Sequence, residues 1–231
     1  MNKIYTALGT MSGTSMDGVD VSIVQSDGKT KYDVKLDEYF EYPQDIFKNL
    51  TKLRDKISSF KDLEKFTKEI KKIEKEITLF HSEAVKEIIK KTKVNIDLVG
   101  FHGQTIYHNV KEKISKQLGD GKLLSDLTKK TVVYNFREND LKNGGDGAPL
   151  APIFHKLLVR QKQINSPVTI LNIGGISNIT SITSQNKMSS SDIGPGNCLI
   201  DNWIRTNSKK YYDKNGLIAE SGKVNEIILK G

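Results

Sequence analysis

The sequence predicts an α/β fold built as two strand-led halves around a cleft. Three observations predict it. Runs rich in β-formers alternate with helical patterns along the chain, and a glycine turn between two apolar runs occurs twice, once within Gly9–Asp20 and again at Gly174-Gly175. The 231 residues, 36% hydrophobic and 28% charged, are enough for a sizeable core of the soluble globular type.

Taken in order, Ile4–Leu8 enters the first turn as a strand and Val19–Val24 leaves it as another. Tyr32–Tyr42 alternates imperfectly and stops at Pro43, which predicts a third antiparallel strand, and a helical pattern begins near Gln44. From Lys61 the apolar residues Leu63, Phe66, Ile70, Ile73, Ile77, Phe80, Ala84 and Ile88 recur every three or four positions. That spacing describes one long amphipathic helix packed on a core, with a coiled coil as the alternative. Asn95–Phe101 is a short buried strand, Gly119-Asp120-Gly121 a turn, Lys122–Thr128 a short helix and Thr131–Phe136 a further strand. Arg137–Pro149 is polar and rich in glycine, so it is expected to be loop, and Leu150–Gln161 helix. Asn165-Ser166-Pro167 marks the expected boundary between domains 1–165 and 166–231. Beyond it come strands at Val168–Ile173 and Ile176–Ile182. A third strand closes at Ser191–Asn197 and leads into a helix through Trp203, and a last helical pattern runs from Glu220. The second half thus holds fewer elements than the first, and its sheet is expected to lack cover.

Composition excludes several function classes. A single cysteine, Cys198, rules out an intrachain disulfide and a multi-cysteine zinc site, and the four histidines show no H-E-x-x-H pairing. No run reaches the apolar length that spans a bilayer, and Ile4–Leu8 is too short for a secretory h-region. The expected setting is therefore cytoplasmic, with no membrane partner. The formal charge of +8 invites a nucleic-acid reading. Residues 48–93, however, hold fourteen Lys or Arg against eight Asp or Glu, a surplus of six in one interleaved segment. Such a segment is a solvated helical face, and only four basic residues in the chain are arginine, so no nucleic-acid partner is expected.

The turn Gly13-Thr14-Ser15-Met16-Asp17-Gly18-Val19-Asp20 is the first chemistry-bearing stretch. Its glycines can bring backbone N–H groups to an anion, the hydroxyls of Thr14 and Ser15 add donors, and Asp17 or Asp20 could hold a hydrated metal against phosphate oxygens. Taken alone it could equally be an ordinary hairpin loop. The Walker A loop, the G-x-G-x-x-G fingerprint, the protein-kinase motifs and the G-x-S-x-G elbow are all missing. What remains is a series of glycine turns with acids and amides: G-T-S-M-D-G-V-D (13–20), F-H-G-Q-T (101–105), N-F-R-E-N-D followed by G-G-D-G-A-P (135–149), L-N-I-G-G-I-S-N (171–178) and D-I-G-P-G-N (192–197). Strand-end turns of this kind around a cleft suit phosphoryl transfer.

In this order and spacing, the set resembles the anhydro-N-acetylmuramic acid kinase family, and the resemblance extends from Ile4 to about Lys223 through Y-D-K (212–214) and S-G-K (221–223). The family belongs to the actin/hexokinase/Hsp70-like ATPases, so the resemblance implies two RNase-H-like lobes around an ATP cleft, the second lobe incomplete here. It implies ATP and Mg²⁺ as cofactors and anhydro-N-acetylmuramic acid as substrate, with a homodimer compatible. The 1,6-anhydro bridge would be hydrolysed and O6 phosphorylated, giving N-acetylmuramic acid 6-phosphate in peptidoglycan recycling. Carried over, Gly13, Thr14, Ser15, Met16, Asp17, Gly18, Val19 and Asp20 would form the first phosphate turn, with Asp17 or Asp20 at the metal. Asn172, Gly174, Gly175 and Asn178 would form the second. Asp192 would be the general base on the hydrolytic water, and a carboxylate needs no raised pKa for that at neutral pH. His102, Gln104 and Arg137 would meet the sugar, though His102 could equally be a structural histidine.

The sequence departs from the family's pattern in two ways. Family members usually carry glutamine where this chain has Asp146, which puts a carboxylate near the phosphates. Family chains also continue through a glycine-rich adenosine turn, so the 231 residues alone are expected to be weakly active or inactive. A shortened remnant that binds sugar or phosphate without turnover is the alternative, and a basic nucleic-acid module the third.

Overall fold

The computed structural model describes residues 3–230 and is a mixed α/β structure, the class the sequence predicts. The chain packs as two units. One runs to Ile170 and takes in Thr180–Ser190, and the other holds Leu171–Ile179 and the described residues from Ser191 onward.

The first unit is built on a six-stranded sheet. Its first three strands, β1 (Tyr5–Ser12), β2 (Gly18–Ser26) and β3 (Tyr32–Glu41), form an antiparallel meander. β4 (Leu98–Asn109) lies parallel to β1, and β5 (Ile114–Leu118) returns antiparallel to it, so the order is β3-β2-β1-β4-β5. A short β6 (Val132–Tyr134) pairs in parallel with the start of β4. The side-chain period of two puts Leu8, Val19, Val21, Ile23, Val99 and Phe101 into the core, each no more than 1% exposed.

Three helices follow β3: α1 (Gln44–Arg54), α2 (Phe60–Lys65) and α3 (Thr67–Thr92). The long predicted helix is therefore broken at Phe66, and Ser59 with Asp62 closes a capping box that starts α2 anew. The apolar stripe of α3, with Ile70, Ile73, Ile77, Ala84, Val85 and Ile88, joins the same core as the strands. α4 (Gly121–Thr128) begins where the Asp120 carboxylate accepts the Leu123 N–H at 2.9 Å.

Two departures have local causes. The hairpin from β4 into β5 turns at Val110–Lys113, where Lys113 rather than glycine takes the left-handed conformation at φ 55°, so no glycine marks it. The segment expected to be loop from Arg137 starts with a helix, α5 (Phe136–Lys142), which buries only Leu141 and so lacks a visible apolar period. Further on, α6 (Pro152–Gln161) reaches the edge strand: the Gln161 side-chain amide accepts the Tyr32 N–H and donates to the Tyr32 C=O, both at 2.8 Å. Phe154 meets the Tyr32 ring edge-on at 5.0 Å between centroids.

β7 (Val168–Ile173), β8 (Ile176–Ile182) and β9 (Met188–Pro195) form a three-stranded sheet in that order. α7 (Cys198–Asn207) follows directly, then the short helices α8 (Leu217–Ser221) and α9 (Glu226–Lys230). The helix expected from Glu220 is interrupted at Gly222, and its last residue, Gly231, lies outside the described residues. Leu199, Ile200 and Trp203 on α7 are each more than half exposed.

Candidate functional site

The buried face of β1 changes character along its length, from Leu8 through Thr10 to Ser12, and then the chain enters the Gly13–Asp20 turn. Met16 takes a left-handed conformation at φ 59°, is only 2% exposed, and donates its N–H to the Gly13 carbonyl at 3.3 Å. A buried methionine tolerates that backbone because the surrounding core holds it there. Ser15 Oγ donates to Asp17 Oδ1 at 2.5 Å, and the Asp17 carbonyl accepts the Tyr42 N–H at 2.8 Å. Gly18 is required by close approach, since a Cβ there would lie 2.4 Å from the Phe40 carbonyl oxygen. Thr14 and Asp20 are exposed, whereas Val19 is buried in the strand. Partial burial, and then the neighbouring carboxylates of Asp17 and Asp37, hold the Asp20 carboxyl above its ordinary range. The Asp17 and Asp20 carboxylates feel one another electrostatically, and their oxygens are donors of the kind Mg²⁺ takes. Among the described residues, no group of three or more His, Cys, Asp or Glu gathers as a metal site.

His102 and Arg137 form a pair. Arg137 Nε and Nη2 lie 3.1 and 2.9 Å from His102 Nε2, and Arg137 Nη1 donates to the Gly147 carbonyl at 2.7 Å. His102 Nδ1 lies 2.7 Å from the Gly103 carbonyl, which can only accept. Nδ1 therefore carries the proton and Nε2 accepts from the guanidinium, an assignment made from the hydrogen-bond network. Burial first, and the Arg137 charge second, push the imidazole pKa down to about 4. This pair makes one arm of the loop firm. The other arm is Asp140, whose Oδ2 accepts the Gly147 N–H at 2.8 Å and whose carbonyl accepts the Gly145 N–H at 2.9 Å. Asp146 is exposed on that loop. A pocket of 210 Å³ beside the pair is lined by Phe101, His102, Gln117, Tyr134, Asn135 and Glu138, among others. Gln104, by contrast, is fully buried, and its Nε2 donates to the Gly13 carbonyl at 2.9 Å.

In the other unit, the L-N-I-G-G-I-S-N and D-I-G-P-G-N motifs meet. The N–H groups of Gly196 and Cys198 donate to the Gly175 carbonyl at 3.0 and 3.2 Å, and the Asn197 N–H donates to the Gly174 carbonyl at 2.7 Å. Asn197 Nδ2 adds a bond to the Ile173 carbonyl at 3.1 Å. A Cβ on Gly196 would lie 2.2 Å from the Gly174 oxygen and 2.7 Å from Ser177 Oγ, so the two turns close only with glycine at that position. Asn172 and Asp192 are exposed, and Asn178 is half-buried.

Reading the sequence did not single out His81, Tyr42 or Ser12, which surround the base of the first turn. The available signal was His81 itself: at four residues after Ile77 and four before Val85, it occupies a core-facing position in an apolar stripe. Asp140, within the N-F-R-E-N-D motif, was given no role of its own because a helix was not expected there.

The fold and the site define a mixed α/β protein whose glycine turns stand at strand ends, with exposed hydroxyl, amide and carboxylate groups around them. The model of the family described as anhydro-N-acetylmuramic acid kinase matches residues 5–231, and the chain belongs to that family. It is 58% identical over 231 residues to the anhydro-N-acetylmuramic acid kinase of Pelagibacter ubique, covering 99% of this chain and 62% of that protein. It is 37% identical to the Agrobacterium fabrum protein of the same name, covering 97% and 61% respectively. The chain thus spans about three-fifths of the length of the curated relatives it matches. Among solved structures, a Ppx/GppA phosphatase from Aquifex aeolicus aligns over 89% of this chain and 56% of its own, with a TM-score of 0.40 and 15% identity. Among the described residues, no helix is long and apolar enough to cross a membrane.

Proposed function

We propose that the protein acts as an ATP-dependent kinase that opens the 1,6-anhydro bridge of anhydro-N-acetylmuramic acid and phosphorylates O6. The observation that carries this reading is the family match over residues 5–231, in which every one of the glycine turns falls. Water would add at the anomeric carbon and give up its proton to the exposed carboxylate of Asp192. The anomeric C–O6 bond would break as O6 takes the γ-phosphoryl group, leaving ADP and N-acetylmuramic acid 6-phosphate. Asp17 and Asp20 would hold Mg²⁺, which supplies charge neutralisation at the phosphates when bound.

The chain's own residues would then act as follows. Gly13–Asp20 would seat phosphate, and so would the turn of Asn172, Gly174, Gly175 and Asn178. Arg137, held by His102 and Gly147, would present its guanidinium edge near the sugar, where bidentate donors suit a lactyl carboxylate. His102, kept neutral, would accept from Arg137 through Nε2 and so hold the guanidinium without repelling it. Gln104 is assigned to the turn rather than to the sugar, because its amide is fully buried. The same reading places the protein in the cytoplasm, in the reuse of cell-wall amino sugar, with a homodimer as the compatible assembly.

The test is a coupled ADP-release assay with Mg·ATP and anhydro-N-acetylmuramic acid, run on this chain beside the full-length Pelagibacter relative. Sugar-dependent ADP release and N-acetylmuramic acid 6-phosphate as product are expected from the relative, with slower release or binding alone from the 231-residue chain. A relative that releases ADP without consuming the sugar would overturn the reading.

A further inference from the structure

Beneath the Gly13–Asp20 turn lies a fully buried polar cluster that no step of the proposed reaction uses. Ser12 Oγ lies 2.9 Å from the Tyr42 hydroxyl and 3.2 Å from His81 Nε2, and the Tyr42 hydroxyl lies 3.2 Å from the same nitrogen. The far side of the ring faces Thr10 Oγ1 at 3.2 Å. Ser12 and His81 are no more than 1% exposed, Thr10 and Tyr42 only 4%. The imidazole packs edge-on against Phe101 at 5.0 Å between centroids, and the Tyr42 ring does the same against Phe80, also at 5.0 Å. Four polar groups in the interface between α3 and the sheet are expensive, and apolar side chains of similar volume would fill the space without needing partners. The cluster therefore calls for an explanation in what it holds.

What it holds is the backbone on both sides of the turn. Ser12 immediately precedes Gly13, and Tyr42, fixed by its hydroxyl, donates its N–H to the Asp17 carbonyl at 2.8 Å. Gln104 supplies a third tie, through Nε2 to the Gly13 carbonyl at 2.9 Å. Gln104 Oε1 is, among the described residues, the one buried side-chain oxygen or nitrogen without a hydrogen-bond partner, so this amide accepts a desolvated acceptor in order to make its donor bond. Because the peptide unit is planar and trans, a Gly13 carbonyl drawn inward by Gln104 turns the Thr14 N–H the opposite way, away from the core. That is the orientation an anion at the turn requires.

We propose that His81 and Gln104 are positioning residues for nucleotide phosphate: His81 through Ser12 and Tyr42, and Gln104 through Gly13, lock the carbonyls of Gly13 and Asp17 inward so that the Thr14 N–H faces phosphate. This rests on the reading of that turn as a phosphate seat. Neither residue touches the ligand, and both act by removing alternative conformations of the turn before it binds.

The experiment uses the 231-residue chain and its Tyr42→Phe, His81→Leu and His81→Gln variants, with Mg·ATP and inorganic tripolyphosphate as the probes. Tyr42→Phe removes one oxygen and keeps the ring, so it carries the test if His81→Leu does not fold. Backbone amide exchange at Thr14–Asp17 and the Kd for Mg·ATP by calorimetry are the two readouts. Tyr42→Phe, which loses the contacts to Ser12 and His81, and His81→Leu, which loses those to Ser12, Tyr42 and Thr10, are each expected to raise both by about tenfold or more, with amides in the middle of β2 and β4 unchanged. His81→Gln, whose amide can bond to both sides, is expected to recover most of the loss. If the wild type binds either probe and the variants bind it equally well, the positioning inference is wrong while the phosphate seat stands. If the wild type binds neither Mg·ATP nor inorganic tripolyphosphate, a probe that needs no adenosine contact, the phosphate seat falls and the inference with it.

Discussion

Arg137 approaches His102 with two nitrogens at once, Nε at 3.1 Å and Nη2 at 2.9 Å from the same ring nitrogen. A histidine gripped in this way by a cation cannot itself be a cation, and the buried His81, with a pKa of about 3, is in the same position for a different reason, burial in the core. Both imidazoles are held below the ordinary value of 6.5. As pH falls from 6.5 towards about 4, the unfolded chain takes up protons that the folded chain refuses, and stability falls with it. Each histidine contributes a slope of about 1.4 kcal/mol per pH unit in that window, fully relieved above it. The His81 and His102 ring-proton resonances should be silent between pH 8 and 5. A chemical-shift midpoint near 6.5 for either would refute the assignment.

Arg137→Ala should leave the His102 ring nitrogen and the Gly147 carbonyl without their donor, at a cost of about 1–3 kcal/mol. Lysine is no substitute, because one ammonium cannot match a fork that reaches both sites. The effect should be concentrated in the 143–149 loop, where limited proteolysis would cut faster in both variants. Unchanged cleavage in Arg137→Lys would show that one donor is enough.

Gln104→Glu replaces the N–H that faces the Gly13 carbonyl with a carboxylate oxygen. Burial and the opposing carbonyl would raise that carboxyl's pKa above the unfolded value. The folded state then binds the extra proton, so this variant should lose stability as pH rises, opposite in sign to the histidine effect. Denaturant midpoints at pH 4.5 and 7.5, compared with the wild type, read the sign directly.

Gly196→Ala puts a methyl group 2.2 Å from the Gly174 carbonyl oxygen, which is backbone and cannot swing aside. Overpacking of this kind costs about 1–3 kcal/mol. The variant should melt earlier and bind Mg·ATP more weakly. An alanine variant with wild-type melting would mean that the two turns do not close as described.

With Asp192 as the proposed general base, Asp192→Asn should lower sugar-dependent turnover by about 100-fold or more, with the Kd for Mg·ATP unchanged. Turnover within a few-fold of wild type would reassign the base.

Much of this architecture could be read from the residues themselves. The β1–turn–β2 hairpin was legible because Leu8, Val19, Val21 and Ile23 alternate around glycines that the bend needs. The β4–β5 hairpin was not, since Lys113 supplies the left-handed residue and nothing in its side chain advertises that. Helix α5 was hidden because one buried residue, Leu141, sets no period. The meeting of Gly174-Gly175 with Gly196–Cys198 is backbone to backbone, and side-chain identity reveals it only through the glycine at 196. The His81 cluster joins residues from β1, β3's exit and α3. Each looks ordinary in its own neighbourhood, and only the tertiary fold makes them one group.

The Gln161 amide bonded to both backbone groups of Tyr32 has a consequence for association. β3 is the outermost strand on its side of the sheet, and a strand from another molecule could lengthen the sheet by pairing along it. At Tyr32 that row of donors and acceptors is already engaged by a side chain imitating one peptide of a neighbouring strand. An intruding strand would have to evict Gln161, and with it the Phe154 ring beside Tyr32, before pairing could begin at that end. The molecule carries its own stopper against pairing at the Tyr32 end of that edge.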